Sequence, residues 1–459
     1  MKHSTSYVLL LSVIAAIGGF LFGFDSGVVN GTVEAIKKSF GTDAAATGFA
    51  VGSALIGCAV GAFAAGSLAD RLGRRPAMFV TAIIFLASAV LTGAANDVYV
   101  FIAGRVLGGL AIGAASILTP MYISEIAPPQ LRGRLSSLQQ LAIVLGLFIV
   151  FVSNYLIAAA AGGASERLWF GFQAWRWMFW MEAVPSIAFL LGLFVIPESP
   201  RHLVAIGRID EARTVFAHLS ANPDELIARV QESIRGETKP RLSDLIDRKT
   251  GHIAGILWIG IGLAAFQQFV GINVIFYYGD ILWQAAGASS SDSLKINVLM
   301  GAVNIVSTLI AIALIDKVGR KPLLLWGSIG MVVTLGLVAI TFARSGVLPD
   351  GKPDLTQGAA TFAIVCMILY IVAFATSWGP AVWVLLGEIF PNRLRGAALA
   401  VSGASNWLAN FTVTVTFPPL LAGAGLAPAY AVYAVAALVS AVFVFFAVQE
   451  TKGKALEEM

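Results

Sequence analysis

Three formal charges stand alone within long apolar stretches of the sequence. Asp25, Arg105 and Glu182 are each the only formally charged residue in the stretch around them. A charge inside lipid costs roughly 3 kcal/mol or more, so each is a functional candidate. An acid and a guanidinium relieve each other's desolvation by pairing, either as a permanent ion pair or as an acid poised to load and release a proton. Both interpretations are open for Asp25 with Arg105, and also for Glu182.

Uncharged amides form a second pattern in the apolar stretches. Carboxamides both donate and accept hydrogen bonds, as the hydroxyls of a sugar require when water is removed. Gly271 allows the helix around it to break, and such a break would let Gln267 and Asn273 face the same side. The alternative is that the amides bind helices to one another. The amides are Gln140, Gln267, Gln268, Asn273, Asn304, Asn406 and Asn410.

Aromatic residues near these amides supply the apolar half of a sugar site. Trp383 follows the pair Gly379-Pro380, which should bend its helix and open space beside the indole ring. Trp407 adjoins Asn406, and Tyr277 follows Asn273 along the chain. The indole rings can cover the C–H face of a pyranose.

The elements that must position these residues are membrane spans. The chain of 459 residues is 58% apolar and only 12% charged, with a mean hydropathy of +0.83, which excludes a soluble globular protein. A span needs about 20 apolar residues, and the sequence predicts twelve. They cover about 8–33, 47–69, 77–95, 98–123, 133–160, 176–196, 252–286, 294–315, 322–343, 359–387, 396–422 and 427–448.

The two halves of the chain repeat each other. The stretch Asp70 to Pro76 recurs as Asp316 to Pro322, and an acid precedes Arg-Gly by seven residues at both Glu125 and Glu388. For both signatures, the second copy follows the first after a similar length of chain, which indicates duplicated halves. Duplicated halves with a substrate site between them are typical of major facilitator transporters.

Basic residues in the short loops predict the orientation of the chain. The four loops that contain the repeated signatures hold ten Lys and Arg residues, against seven in the loops of the other face. The positive-inside rule therefore places the signature loops, and with them both termini, in the cytoplasm. The net charge of +4 follows from this bias, so no nucleic-acid partner is needed.

The predicted domain order is an N-terminal six-helix bundle over 1–197, a linker over 198–250, a C-terminal bundle over 251–448 and a tail over 449–459. The linker holds 18 charged residues, and its apolar spacing predicts short amphipathic helices at Ile209 to Leu219 and Asp224 to Ile234. A flexible tether is the alternative. No metal-binding, nucleotide-binding or nucleophile motif is present in the sequence, so neither an enzyme nor a cofactor is expected.

Over essentially its whole length the chain resembles the sugar porter family of the major facilitator superfamily. The matching motifs are Gly-Phe-Asp-Ser-Gly around Asp25, Gly66 to Pro76, Gly104-Arg105, Pro120-Met121-Tyr122 through Glu125 to Gly133, Pro197 to Arg201, Gln267-Gln268 to Asn273, Asp316 to Arg320, Gly379-Pro380 to Trp383, Glu388 to Gly396 and Asn406-Trp407. One departure is Gln449, which stands before Glu450 where the family has proline. The exit angle of the tail is therefore in doubt.

The resemblance implies an all-α membrane protein of twelve transmembrane helices in two pseudo-symmetric six-helix bundles, with alternating access to a central sugar. It implies proton coupling by Asp25 and Arg105, a further coupling position at Glu182, and an outer gate at Tyr277. The implied sugar contacts are Gln140, Gln267, Gln268, Asn273, Asn304, Trp383, Asn406 and Trp407. The implied cytoplasmic salt-bridge network is Asp70, Arg74, Glu125, Arg132, Glu198, Arg201, Asp316, Arg320, Glu388 and Arg395.

The resulting hypothesis is proton-coupled import of a monosaccharide across a bacterial inner membrane by a monomer. D-glucose is the leading substrate, and xylose and galactose are the other candidates. Three alternatives remain open. They are a passive sugar facilitator, a membrane sugar sensor that binds without transport, and a transporter of drugs or phosphate within the same superfamily.

Overall fold

The computed structural model describes residues 2–128, 132–219, 222–236, 245, 254–347 and 353–452. Within its helices, the side chains of 2–5, 132–134, 136, 137, 235, 236, 316, 392, 393 and 395 lie outside this description. Most of the predicted linker beyond 236 and the tail beyond 452 also lie outside the described residues.

The first half of the chain is helical and follows the predicted spans closely. Its spans are α1 (Lys2–Val28), α3 (Ala44–Leu72), α4 (Arg74–Ala94), α5 (Val98–Ile126), α6 (Arg132–Ala161) and the pair α7 (Ala174–Trp180) and α8 (Ala183–Val195). A short helix α2 (Val33–Phe40), which the sequence reading did not predict, follows a turn at Gly31 with φ of 86°. The first span therefore ends at Val28 instead of near residue 33, because the left-handed turn cannot continue a right-handed helix.

The linker contains both predicted helices, α10 (Ile209–Leu219) and α11 (Pro223–Gly236). A further short helix, α9 (Pro200–Ala205), was not predicted. On α10 the buried residues Ala212, Phe216 and Leu219 recur at helical spacing, which is the amphipathic pattern that predicted this helix.

The second half of the chain contains α12 (Gly255–Phe269), α13 (Ile272–Ala285), α14 (Ser290–Val318), α15 (Arg320–Ala343), α16 (Gln357–Ala375), α17 (Trp378–Ile389), α18 (Asn392–Ala424) and α19 (Leu426–Ala447). Two strands of two residues each, β1 (Gly346–Val347) and β2 (Pro353–Asp354), pair antiparallel. Two spans are broken here, the seventh into α12 and α13 and the tenth into α16 and α17.

Within the described part of the chain, eleven helical segments are long and apolar enough to cross a bilayer. The helix α18, with 33 residues, corresponds to the eleventh predicted span, 396–422, and is less apolar than these segments. Its buried face carries Ser402, Asn406, Asn410 and Thr414, each four residues from the next. The polar face lowers the hydropathy of a helix that is otherwise long enough to span.

Contacts divide the chain into two compact units. The first unit comprises Met1–Asp25, Ile56–Leu147 and Phe179–Lys239, and the second comprises Ser26–Leu55, Phe148–Met178 and Pro240–Met459. In the first unit α4 packs on α5 and α8, and in the second α15 packs on α16 and α19. The third span of each half thus contacts the fourth and sixth of its own half. This repeated packing agrees with the duplication seen in the sequence, while the predicted boundaries at 197, 250 and 448 stay a prediction.

Candidate functional site

In the first unit, Asp25 and Arg105 form the ion pair that the sequence allowed. The Arg105 guanidinium donates through Nη1 to Asp25 Oδ1, and both side chains are buried. The second carboxylate oxygen, Asp25 Oδ2, accepts no hydrogen bond from the described residues. A Cβ added at Gly108 would lie 2.7 Å from Asp25 Oδ2, so the absence of a side chain there makes room for the carboxylate. One oxygen of this acid is therefore paired with Arg105, and the other has no hydrogen-bond partner among the described residues.

Glu182 belongs to the same electrostatic group. It is buried between α7 and α8, and the fields of Asp25 and Arg105 both reach it. Arg105 also lies over the ring of Phe179, 5.7 Å from the centroid, which shields the guanidinium on one side. One cation therefore faces two buried acids, and a change in protonation at either acid alters the electrostatics of both.

In the second unit, the amides form a continuous chain of hydrogen bonds. Asn406 donates to Gln267 Oε1 and to the Ala264 carbonyl, both at 2.9 Å, and accepts from Gln268 Nε2 at 3.2 Å. Asn273 in turn donates to Gln268 Oε1. These residues come from α12, α13 and α18, so the amide chain joins three helices and its members orient one another.

The amide chain also connects the two broken spans. Gln267 donates through Nε2 to the carbonyls of Trp378 and Gly379, at 2.9 and 3.2 Å, at the beginning of α17. The break at Gly271 is present as predicted, with φ of 86° and the ring of Tyr433 2.7 Å from an added Cβ. The bend of the tenth span lies at Thr376–Ser377, just before Gly379-Pro380. Pro380 therefore falls in the first turn of α17, where its missing N–H is tolerated.

The remaining predicted sugar contacts differ in their surroundings. Trp383 is 43% exposed and Trp407 is half-buried, so both rings keep accessible area. Tyr277 is buried, and its hydroxyl lies 3.5 Å from Asn410 Nδ2. Asn304 is also buried in the second unit. Gln140 is half-buried and belongs to the first unit.

The predicted salt-bridge network falls into one cluster in each unit. In the first, Arg74 donates to both oxygens of Glu125 at 2.9–3.1 Å and lies 3.4 Å from Asp70. In the second, Arg320 donates to Glu388 at 2.8 and 3.1 Å. The side chains of Arg132, Asp316 and Arg395 lie outside the described residues, and Arg201 is half-buried beside Glu198 in sequence.

Glu198 and Glu450 cap equivalent helices in the two units. Glu198 accepts from the backbone N–H of Arg74 and Arg75, and Glu450 accepts from those of Arg320 and Lys321. Both carboxylates thus lie at a helix N-terminus, where the dipole favours negative charge. The departure at Gln449 therefore leaves the role of the following acid intact.

Two sets of buried polar residues were not predicted from the sequence. His202 accepts through Nδ1 from Arg74 Nη1 at 3.2 Å, since a guanidinium can only donate. A buried cluster that includes Asn30, Asp280 and Asn297 was also missed. The signal was available, because Asp280 is the only formal charge in its span.

Comparison with known proteins agrees with this fold. The family model described as "Sugar (and other) transporter" matches residues 11–459. A glucose transport protein of Synechocystis is 50% identical over 99% of this chain and 97% of its own length. The D-xylose-proton symporter of Escherichia coli K12 is 36% identical over 100% and 96%. A structure of the E. coli xylose transporter XylE, in a partially occluded inward-open conformation, superposes with a TM-score of 0.84 at 34% identity, covering 98% of this chain and 100% of that one.

The chain belongs to the sugar transporter family, and its fold is that of the sugar porters of the major facilitator superfamily. It is an integral membrane protein. Its relatives and its fold are those of transporters and not of enzymes.

Proposed function

We propose that this protein is a proton-coupled importer of monosaccharides that works by alternating access. D-glucose is the favoured substrate, and xylose and galactose are the alternatives. The observation that carries the proposal is the buried Asp25–Arg105 pair, in which one carboxylate oxygen has no partner among the described residues. The names of the glucose and xylose transporters among its relatives support both the sugar and the proton.

In the proposed cycle, a proton from outside binds Asp25 and weakens its attraction to Arg105. The loss of that attraction permits the change between conformations once sugar is bound. Release of sugar and proton inside allows the pair to form again. A membrane potential of about 150 mV supplies roughly 3.4 kcal/mol per proton. That free energy supports an accumulation of a few hundredfold, at about 1.4 kcal/mol per tenfold.

The amide chain is proposed as the polar part of the sugar site. Gln267, Gln268 and Asn406 are buried, Asn273 is half-buried, and their hydrogen bonds orient one another. Trp407 adjoins Asn406 on α18, and Trp383 lies on α17, whose beginning binds Gln267. Gln140, Asn304 and Tyr277 are proposed as further contact and gate positions. The salt-bridge clusters are proposed to lie on the cytoplasmic face of a bacterial inner membrane, with both termini on that side and the protein acting as a monomer. The domain boundaries given above belong to the same proposal.

The test is uptake of labelled sugars by purified protein in proteoliposomes, with and without an imposed pH gradient. We expect wild-type protein to concentrate D-glucose when the interior is alkaline, and Asp25→Asn to lose concentration while keeping sugar exchange. Asp43→Asn is the matched control, since Asp43 is an exposed acid that caps α3. Concentration of sugar by Asp25→Asn would overturn the assignment.

The same assay separates the alternatives. Uptake by wild-type protein that is independent of pH would identify a passive facilitator. Sugar binding without movement of label would identify a sensor. Weak competition by glucose, xylose, galactose and fructose together would identify a different substrate class.

A further inference from the structure

A buried polar cluster ties the turn after α1 to α13 and α14 within the second unit. It consists of Asn30, Asp280, Trp283, Ser293 and Asn297, and is called the Asn30 cluster below. Asn30 Oδ1 accepts from the Asp280 backbone N–H and from Asn297 Nδ2, both at 2.9 Å. Trp283 donates its indole N–H to Asn297 Oδ1 at 2.9 Å. The oxygen of one asparagine thus binds two different helices.

The surrounding backbone is shaped to admit this cluster. A Cβ added at Gly279 would lie 2.4 Å from Asn297 Oδ1 and 3.0 Å from Asn30 Nδ2, so only glycine leaves room for both amides. From α6, Asn154 donates to the carbonyls of Val28 and Asn30 at 3.0 and 2.7 Å. Three helices therefore hold the turn that carries Asn30.

Asp280 brings an acid into this cluster, and no cation of the described residues pairs with it. Its side chain is only 6% exposed, and it forms no salt bridge with the described residues. Among the described residues, another acid, Glu34 on α2, is a charged group whose field reaches Asp280. On α14, Asp292 and Lys295 are exposed and pair with each other at 3.0 Å. The further charged groups on α2 are the exposed lysines of its last turn, Lys37 and Lys38.

The contacts around Asp280 can all be hydrogen bonds at once only if the acid carries a proton. Asp280 Oδ2 accepts from Gln284 Nε2 at 2.9 Å, and Oδ1 lies within hydrogen-bond distance of Ser293 Oγ. Ser293 Oγ also lies 2.8 Å from the Ser290 carbonyl. A hydroxyl has one proton and cannot donate to both oxygens. If Asp280 carries a proton, it donates to Ser293 Oγ, and Ser293 donates to Ser290.

We propose that Asp280 is a second proton-binding site, separate from the Asp25–Arg105 pair, and that its protonated form stabilises the Asn30 cluster. Without this proton, Asp280 is a buried carboxylate whose Oδ1 faces a lone pair of Ser293 Oγ while Ser293 donates to Ser290. Its charged neighbour is the acid Glu34. Ionisation of Asp280 therefore weakens the attachment of α13 and α14 to the turn at Asn30. The functional consequence rests on the proposed alternating access. A proton at Asp280 favours the closed arrangement of α13 and α14 against the turn at Asn30, and loss of the proton favours the open arrangement.

The first experiment detects the proton directly and does not depend on transport. Infrared spectra of purified protein are recorded across a pH titration for wild-type protein, Asp280→Asn and the control Asp292→Asn. We expect a carbonyl stretch of a protonated carboxyl group that Asp280→Asn lacks and Asp292→Asn keeps. Asparagine has the size of the protonated acid and can replace its hydrogen bonds, and size-exclusion profiles and thermal melting check that each variant folds. Identical spectra for wild-type protein and folded Asp280→Asn would overturn the proposal.

The second experiment measures sugar exchange against pH in the Asp25→Asn background, in which the first proton site is absent. In Asp25→Asn we expect the rate of sugar exchange to change by up to about tenfold per pH unit, as the binding of one proton requires. In Asp25→Asn/Asp280→Asn the rate should not depend on pH. An unchanged profile in the double variant would overturn the coupling of Asp280 to closure. If Asp25→Asn shows no exchange at all, the proposed function fails, while the infrared experiment still decides whether Asp280 binds a proton.

Discussion

Glu450 caps the helix that begins at Arg320, accepting its backbone N–H at 3.0 Å. Three further backbone N–H groups, those of Lys321, Thr451 and Lys452, donate to the same carboxylate at 2.8–3.0 Å. Burial raises the pKa of Glu450, but the four donors outweigh burial and hold its pKa below the ordinary value. The tail after the last span is thereby fastened to the beginning of α15.

The depressed pKa of Glu450 predicts a pH dependence of stability. A carboxylate whose pKa is lower in the folded state stabilises the fold above its unfolded pKa, about 4.3, and loses that contribution as pH falls through the folded value. We expect Glu450→Gln to lower the free energy of unfolding by up to about 1 kcal/mol at pH 7 and to match wild-type protein in acid. Thermal melting at several pH values measures this. Glu232→Gln, at an exposed acid on α11, is the control, and an equal deficit of Glu450→Gln at all pH values would contradict the prediction.

Gly271→Ala is expected to damage the break between α12 and α13. A residue other than glycine in the left-handed region costs about 1–3 kcal/mol, and the added Cβ must also displace the ring of Tyr433. Because the break orients Gln268 and Asn273, sugar affinity should fall at least about tenfold. Sugar binding by calorimetry and thermal melting test this. Gly336→Ala is the matched control, since an added Cβ there meets open space, and equal behaviour of the two variants would refute the prediction.

Asn406→Ala is expected to disconnect the amide chain. The variant loses two donated hydrogen bonds and leaves Gln267 Oε1 and Gln268 Nε2 without their partner. Each buried polar group left unpaired costs about 1–3 kcal/mol. We expect both a lower melting temperature and weaker sugar binding. Thr412→Ala, on the exposed side of the same helix, should change neither. Normal sugar binding by Asn406→Ala would remove this chain from the proposed site.

Arg74→Lys is expected to lower both stability and uptake, although the substitution keeps the positive charge. Arg74 donates to both oxygens of Glu125 and to the Ala69 carbonyl at 3.1 Å, a geometry that one ammonium group cannot reproduce. Glu125 would remain partly unpaired, at a cost of about 1–3 kcal/mol. Melting and uptake rates should fall together. Arg213→Lys, at an exposed ion pair of the linker, is the control, and comparable effects of both variants would argue against a special role for Arg74.

Part of the candidate site could be predicted because it depends on local chemistry. The pairing of Asp25 with Arg105 follows from two isolated charges in apolar stretches, since an unpaired charge in lipid is costly. The break at Gly271 follows from a flexible residue between two amides that must face the same way. The bend of the tenth span was placed three residues late, because proline disrupts a helix on its N-terminal side.

The sequence by itself determined that the chain spans a membrane, that its halves are duplicated, and which motifs it shares with the sugar porters. These properties reside in composition, spacing and repetition, which need no knowledge of distant contacts. Only the tertiary structure decided which amides bind one another, how Glu198 and Glu450 cap corresponding helices, and that Asp280 joins Asn30 in a buried cluster. Those relationships depend on residues far apart in the chain, whose distances and hydrogen-bond partners are fixed only when the helices pack.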